Sequence, residues 1–319
     1  LKLLIVIPCL NEETHLPRLL DWLQADPIVS TARIVVVDGG STDRSAAIVA
    51  ERAATDPRVI LLHNPKRLQS AGVNLAFDGY GGDVDHLVRI DAHADYPSDF
   101  LFRLVAAQRQ TNADSVTVSM RAVAPPGACF QRAAATAQNS VLGTGGSPHR
   151  AGGGRRWVDH GHHALFTASA FRRTGGYDES FSHNEDAEFD VRLARQNGKI
   201  LLAADILIDY HPRQSISALA RQYFKYGGGR ARTVLKHGTP LKPRQLVPIL
   251  VAPALGLTLL TPLSIVLALP ALIWLGLCIS LGVVLGVRER NLCASLSGLA
   301  AAIMHAAWSA GFLARFVRR

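Results

Sequence analysis

The stretch Arg33–Asp43, RIVVVDGGSTD, decides the fold, together with its counterpart His86–Pro97, HLVRIDAHADYP. Each is a run of apolar, largely β-branched residues that ends on aspartate and enters a polar loop, the pattern of a buried strand in a parallel sheet. Open α/β sheets gather ligands outside the carboxyl ends of such strands, so Asp38 and Asp91 are expected in one crevice. A carboxylate cannot cradle phosphate alone. The pair therefore points to a divalent cation held between acid and phosphate, or to an acid that hydrogen-bonds a base or sugar. The plainer reading is that both aspartates only form turns.

Working outward, strands and helices alternate through the first half of the chain. Strands are expected at Leu3–Ile7, Ile34–Val37, Val59–Leu62 and His86–Ile90, with helices near Glu12–Gln24, Ser45–Ala54 and Ser70–Phe77 between them. This rhythm describes an open α/β sheet with crossover helices. A further helix is expected at Asp99–Gln110 and a strand at Ser115–Met120, after which the Gly-rich GTGGSPHRAGGGRR (Gly143–Arg156) reads as a mobile loop. Order returns with a helix over Glu185–Gln196 and a strand over Lys199–Leu202.

The C-terminal part has another character. No Asp, Glu, Lys or Arg occurs from Leu246 to Val287, nor from Asn291 to Ala314, which is room for two or three membrane crossings at roughly 20 residues each. Ahead of them, Ser215–His237 interleaves Ile216, Leu219, Tyr223, Phe224 and Tyr226 with Arg221, Lys225, Arg230, Arg232 and Lys236. That composition suits a helix lying in the membrane interface, bent or broken at Gly227-Gly228-Gly229. Leu3–Ile7 is too short for a secretion signal, and Lys242, Arg244, Arg288 and Arg290 favour a cytoplasmic polar part in the inner membrane, multi-pass. Arg315, Arg318 and Arg319 fit three full crossings poorly, so a last segment that is re-entrant or lies along the surface is also open. Three regions follow: a catalytic domain at 1–213, interface helices at 214–244 and a transmembrane region at 245–319. Cys9, Cys129, Cys278 and Cys293 have no metal-like spacing and read as reduced or buried thiols. The net charge of +9 comes without a recognition helix or an aromatic-basic sheet motif, so lipid and anionic substrates are expected as partners and nucleic acid is not.

Six motifs in order carry a family resemblance: IVIPCLNEE (Ile5–Glu13), VVVDGGSTD (Val35–Asp43), NPKRLQSAGVNLA (Asn64–Ala76), RIDAHADYP (Arg89–Pro97), GGYDESF (Gly175–Phe181) and NEDAEFDVRL (Asn184–Leu193). The chain resembles the family 2 glycosyltransferases of GT-A fold, over roughly its first two thirds, and among them the succinoglycan-type, membrane-bound polysaccharide glycosyltransferases. The fold this implies is a Rossmann-like α/β nucleotide-sugar-binding domain followed by amphipathic interface helices and a helical transmembrane region. The resemblance implies a UDP-sugar donor, with Pro8 and Glu12 beside the base and ribose, Asp38 accepting from the pyrimidine, and Lys66, ahead of Arg67, at phosphate. Asp91, Ala92 and His93 stand where the family has Asp-x-Asp. Asp91, His93 and Asp95 share one face of an extended segment at period two and would hold a divalent metal, Mn²⁺ or Mg²⁺, with imidazole favouring Mn²⁺.

The Glu185-Asp186 pair matches the family's catalytic acidic motif, with Asp186 as the general base that deprotonates the acceptor hydroxyl. Asp190 and Glu188 lie one helical turn further on, so a merely exposed acidic helix end is the competing explanation. Arg155, Arg156, His163, His211 and Arg221 are candidate acceptor or phosphate contacts, with His160 and His162 in the same histidine cluster. The expected function is an inverting, metal-dependent transfer of a hexose, glucose from UDP-glucose first, to a polyprenyl-diphosphate-linked saccharide in exopolysaccharide or cell-surface glycan synthesis. The alternatives are polyprenyl phosphate as acceptor, or a non-catalytic membrane scaffold that keeps the fold.

Overall fold

The computed structural model describes residues 1–147, 150 and 153–317. Along the chain run β1 (Leu3–Cys9), α1 (Leu16–Ala25), β2 (Arg33–Asp38), α2 (Ser45–Thr55), β3 (Val59–His63), α3 (Gln69–Tyr80), β4 (His86–Arg89), β5 (Ala94–Asp95), α4 (Phe100–Thr111) and β6 (Ser115–Ala122). There follow α5 (Cys129–Gln138), α6 (Val141–Thr144), β7 (Arg156–Val158), β8 (His162–Thr167), α7 (Ala168–Thr174), α8 (Glu185–Arg195) and β9 (Ile200–Tyr210). Helices complete the chain: α9 (Ile216–His237), α10 (Pro243–Ile249), α11 (Val251–Leu257), α12 (Leu269–Glu289), α13 (Leu292–Ser295) and α14 (Ser297–Val317). Residues 148, 149, 151 and 152 of the expected Gly-rich loop lie outside the described residues, as do Arg318 and Arg319.

Two compact units share the chain, one of Leu1–Met120 with Gly152–Ile208 and the other of Arg121–Ala151 with Asp209–Arg319. Inclusion of 121–151 in the second unit was not legible, because α5 is an alanine-rich helix whose partners lie far along the sequence.

The sheet order is β3-β2-β1-β4-β8-β6-β9-β5, with β7 on β9. β3, β2, β1 and β4 are parallel, whereas β8 is antiparallel to both β4 and β6. In the first unit β1 alternates between two cores. Leu3, Ile5 and Ile7 pack with Leu16, Leu20, Phe100 and Leu104 of α1 and α4. Leu4 and Val6 pack with Val73, Phe77, Phe171 and Phe189 of α3, α7 and α8. Apolar side chains at period two on both faces need helices on both faces, and this is why the strands read as unbroken hydrophobic runs. Connections to opposite sides of β1 open a crevice at its carboxyl end, where Cys9 is in register with Asp38 and Val6 with Arg89, two residues before Asp91.

The second unit is helical and its central contact is backbone on backbone. A Cβ at Gly227 of α9 would lie 2.0 Å from the carbonyl oxygen of Trp308, and one at Gly311 of α14 would lie 2.0 Å from that of Phe224. The glycine triplet therefore does not break α9, contrary to the expectation above; it lets two helices approach as small residues do in membranes. Among the described residues, three helical stretches are long and apolar enough to cross a bilayer, Pro243–Leu260, Ile265–Glu289 and Leu292–Val317. The thiol expectation is corrected as well, since Cys129 of α5 and Cys293 of α13 form a disulfide that joins segments 164 residues apart. Cys9 and Cys278 are free and buried.

Candidate active site

The crevice of the first unit is built on two loops that hold each other. Between β1 and α1, Asn11 Oδ1 accepts from the Thr42 amide (2.8 Å), and the Glu12 amide donates to Ser45 Oγ (2.8 Å). Asp43 accepts from the amides of Glu13 (3.1 Å) and Ser45 (2.9 Å). Pro8, next to the last residue of β1, is half-buried. Asp38 is 6% exposed, and its carboxylate accepts from the amides of Gly40 (3.0 Å) and Ser41 (3.1 Å). The turn-forming role is thus present. Lys66 forms an ion pair with Glu179, whereas the Arg67 guanidinium lies beside Gly40.

At the end of β4 the chain does not stay extended. Residues 92 and 93 form a turn, and the Tyr96 hydroxyl is bonded to the Asp91 backbone, accepting from its amide at 2.7 Å. The expected single face of Asp91, His93 and Asp95 is therefore replaced by three separate environments. His93 Nδ1 donates to Glu12 Oε1 (2.9 Å), Arg18 pairs with Asp95 (2.6 Å), and Asp91 faces Arg89 and His162. Among the described residues no three His, Cys, Asp or Glu side chains group to hold a metal ion. The chemistry of the set nevertheless suits a divalent ion at Asp91. Burial pushes that carboxyl up, but the Arg89 guanidinium outweighs this and holds it below the usual carboxylate range. His162 Nε2 is 3.6 Å from Asp91 Oδ2, and burial lowers this imidazole to about 4, so it stays neutral with a lone pair to offer.

Arg89 is the residue that the motif reading missed. Only 8% exposed, it sends Nη1 to Glu185 Oε1 (3.4 Å) and places Nη2 3.6 Å from Asp91 Oδ1. With the Gln69 amide oxygen turned toward it, as the hydrogen bonding requires, Gln69 accepts from Nε (3.0 Å) and Nη2 (2.7 Å). One guanidinium thus links α3, the end of β4 and α8. The signal for it was an arginine inside an otherwise apolar strand, where a charge is expensive unless paired.

Helix α8 starts after Asn184, whose φ of 64° sets the turn, and carries four carboxylates. Glu185 is buried on Arg89, Glu188 is clasped by Arg192 Nε (2.9 Å) and Nη2 (2.7 Å), and Asp190 accepts from His160 Nδ1 (2.9 Å) and His163 Nε2 (2.8 Å). Asp186 accepts only from the neighbouring Ala187 amide (2.7 Å) and, among the described residues, is the one of the four without a side-chain partner. Burial would raise its pKa, but His160, His163 and Arg89 outweigh that and keep it well below the usual range, aided by its place at a helix N-terminus. Glu185 moves the other way, raised by burial and by Asp186 against the pull of Arg89. The competing picture of an exposed acidic helix end does not hold, because Glu185, Glu188 and Asp190 are 7%, 0% and 0% exposed. Asp186 is left ionised, half-buried and available to take a proton.

Other candidates are placed elsewhere. Arg155 is held by Asp205 (3.1 Å) and Gln110 (2.7 Å), and Arg156 lies in β7. In the second unit His211 Nδ1 donates to the Val123 carbonyl (2.8 Å), and Arg221 is exposed on α9.

Known proteins match this arrangement along its length. The family model described as glycosyl transferase family 2 covers residues 4–175, and that of glycosyl transferase family group 2 covers residues 127–313. The chain is 47% identical to the succinoglycan biosynthesis protein ExoA of Rhizobium meliloti (strain 1021), over 97% of this chain and 93% of that one. It is 37% identical to an undecaprenyl-phosphate 4-deoxy-4-formamido-L-arabinose transferase of Pseudomonas fluorescens (strain Pf0-1), over 32% of this chain and 31% of that one. A mannosyltransferase from Pyrobaculum calidifontis, solved in complex with GDP-Man and Mn²⁺, shares the fold with a TM-score of 0.60 at 19% identity, covering 99% of this chain and 87% of that one.

Proposed function

Because the chain belongs to glycosyltransferase family 2, we propose that it moves a hexose, glucose from UDP-glucose first, with inversion onto a polyprenyl-diphosphate-linked saccharide in exopolysaccharide or cell-surface glycan synthesis. The reaction takes place at the cytoplasmic face of the inner membrane, with the apolar C-terminal helices as anchor. The similarity to a succinoglycan biosynthesis protein supports the pathway class. The observation that carries the chemistry is Asp186, among the described residues the α8 carboxylate left without a side-chain partner while its three neighbours are engaged.

In this reading Asp186 takes the proton of an acceptor hydroxyl as that oxygen attacks the anomeric carbon, and the bond from that carbon to the nucleotide diphosphate breaks on the opposite side. One displacement gives inversion. Pro8, Glu12 and Asp38 line the nucleoside end, and Lys66 and Arg67 lie toward phosphate. Asp91 would hold a divalent cation, Mn²⁺ or Mg²⁺, with His162 as the further donor facing it, whereas His93 and Asp95 are turned to Glu12 and Arg18 and would have to leave those partners to join; the ion would supply charge neutralisation for the departing diphosphate. Arg89 keeps Glu185 and Asp91 in place and is not consumed. The resemblance to undecaprenyl-phosphate transferases favours a second acceptor, bare polyprenyl phosphate.

Membranes containing the chain, incubated with radiolabelled UDP-glucose and a lipid acceptor with and without Mn²⁺, test the proposal. Label is expected in the lipid fraction only with the cation. No transfer from any nucleotide sugar, GDP-mannose included, would refute it.

A further inference from the structure

The short segment His160–His163 sends its imidazoles to two different carboxylates. His162 faces Asp91, while His160 and His163 both turn to Asp190 on α8. This second contact has no part in the reaction described above. His160 Nδ1–H donates to one oxygen of Asp190 (2.9 Å) and His163 Nε2–H to the other (2.8 Å). The remaining nitrogen of His163, Nδ1, lies 2.9 Å from the Tyr177 hydroxyl. Burial holds the Tyr177 phenol protonated far above its ordinary range. A carboxylate only accepts, so the His163 nitrogen that faces Asp190, Nε2, carries a proton, and Nδ1 is the ring atom that meets Tyr177.

Packing fixes this row of groups. The His163 ring stacks on Tyr177 (5.9 Å between centroids) and meets Phe166 (4.7 Å) and Phe189 (5.7 Å) edge-on. Gly161 lets the leading end of β8 sit against β6, since a Cβ there would lie 2.4 Å from Thr117 Oγ1. A carboxylate with 0% exposure is poor evidence for stability; where such charges persist they often fix register. Asp190 is four residues beyond Asp186, on the same face of α8, so a grip on one sets the rotation that aims the other.

We infer that Asp190, gripped by His160 and His163 and braced through Tyr177, is a positioning residue that fixes α8 so that Asp186 points at the acceptor hydroxyl. The inference rests on Asp186 being the base. Asp190→Asn and Tyr177→Phe, made in the full-length chain in membranes, are compared with wild type for kcat, donor KM and thermal midpoint, with Asp186→Asn alongside. Asp190→Asn is expected to lower kcat roughly 100-fold, the scale of a small misplacement of a reacting group, with donor KM unchanged. Tyr177→Phe removes one hydroxyl and is expected to give a smaller loss of kcat, again at constant KM and thermal midpoint.

Loss of kcat in step with weakened donor binding in Asp190→Asn would overturn the inference, as would wild-type kcat in either variant. If Asp190→Asn fails to fold, Tyr177→Phe decides alone. Should Asp186→Asn still transfer sugar, the base assignment itself falls. If Asp186→Asn is inactive while the other two retain full kcat, only the positioning role falls.

Discussion

At the end of β2 the carboxylate of Asp38 is satisfied by two amides of its own loop, whereas at the end of β4 Asp91 sits among side chains from other elements, Arg89 and His162. The first arrangement is local: neighbouring backbone supplies the partners, and the β1–α1 loop adds more. The second is shared, because Arg89 is bonded at once to Gln69 and Glu185 and faces Asp91. A locally satisfied carboxylate shapes a pocket for a neutral group such as a base. A shared buried cation ties the end of β4 to the helix that carries Asp186, so the proposed donor side and the proposed base are held in one frame.

Replacement of Arg89 by Met breaks the shared side most severely. It strands Glu185 and removes the cation beside Asp91, with an expected loss of about 3–5 kcal/mol in stability, read by chemical denaturation, and loss of transfer. On the local side, Asp38→Asn keeps the loop's shape but weakens two charge-assisted bonds, with about 1–2 kcal/mol expected and a raised donor KM at little-changed kcat. An unfolded Asp38→Asn protein beside a folded Arg89→Met one would invert the comparison. The smallest effect belongs to Lys66→Met, whose ion pair with Glu179 is 64% exposed on the lysine side. Its stability should change by less than about 1 kcal/mol, so any fall in donor binding by calorimetry reports phosphate contact rather than folding.

The strands were legible because apolar residues at period two have few other uses, and with them the places of Asp38 and Asp91 at or just past strand ends and of Asp186 in the first turn of a helix. What sequence spacing hid was pairing over distance. Glu188 and Arg192 are a turn apart and easily matched, but Arg89 meets Glu185 across 96 residues, and the Asp190–His163 and Cys129–Cys293 contacts span 27 and 164. The turn at residues 92 and 93 was hidden for another reason: Asp-Ala-His-Ala-Asp alternates like a strand, and only the Tyr96 hydroxyl bond to the Asp91 backbone shows that it folds back. Gly227 misled because a glycine that breaks a helix and one that admits a neighbouring backbone look alike in sequence.

The most direct measurement is the transfer of radiolabelled sugar from UDP-glucose to the lipid fraction by Asp186→Asn beside wild type, in membranes supplied with Mn²⁺ and at saturating donor. A base role requires a fall in kcat on the order of 10²–10⁴-fold with nucleotide binding retained. Transfer at the wild-type rate would contradict it.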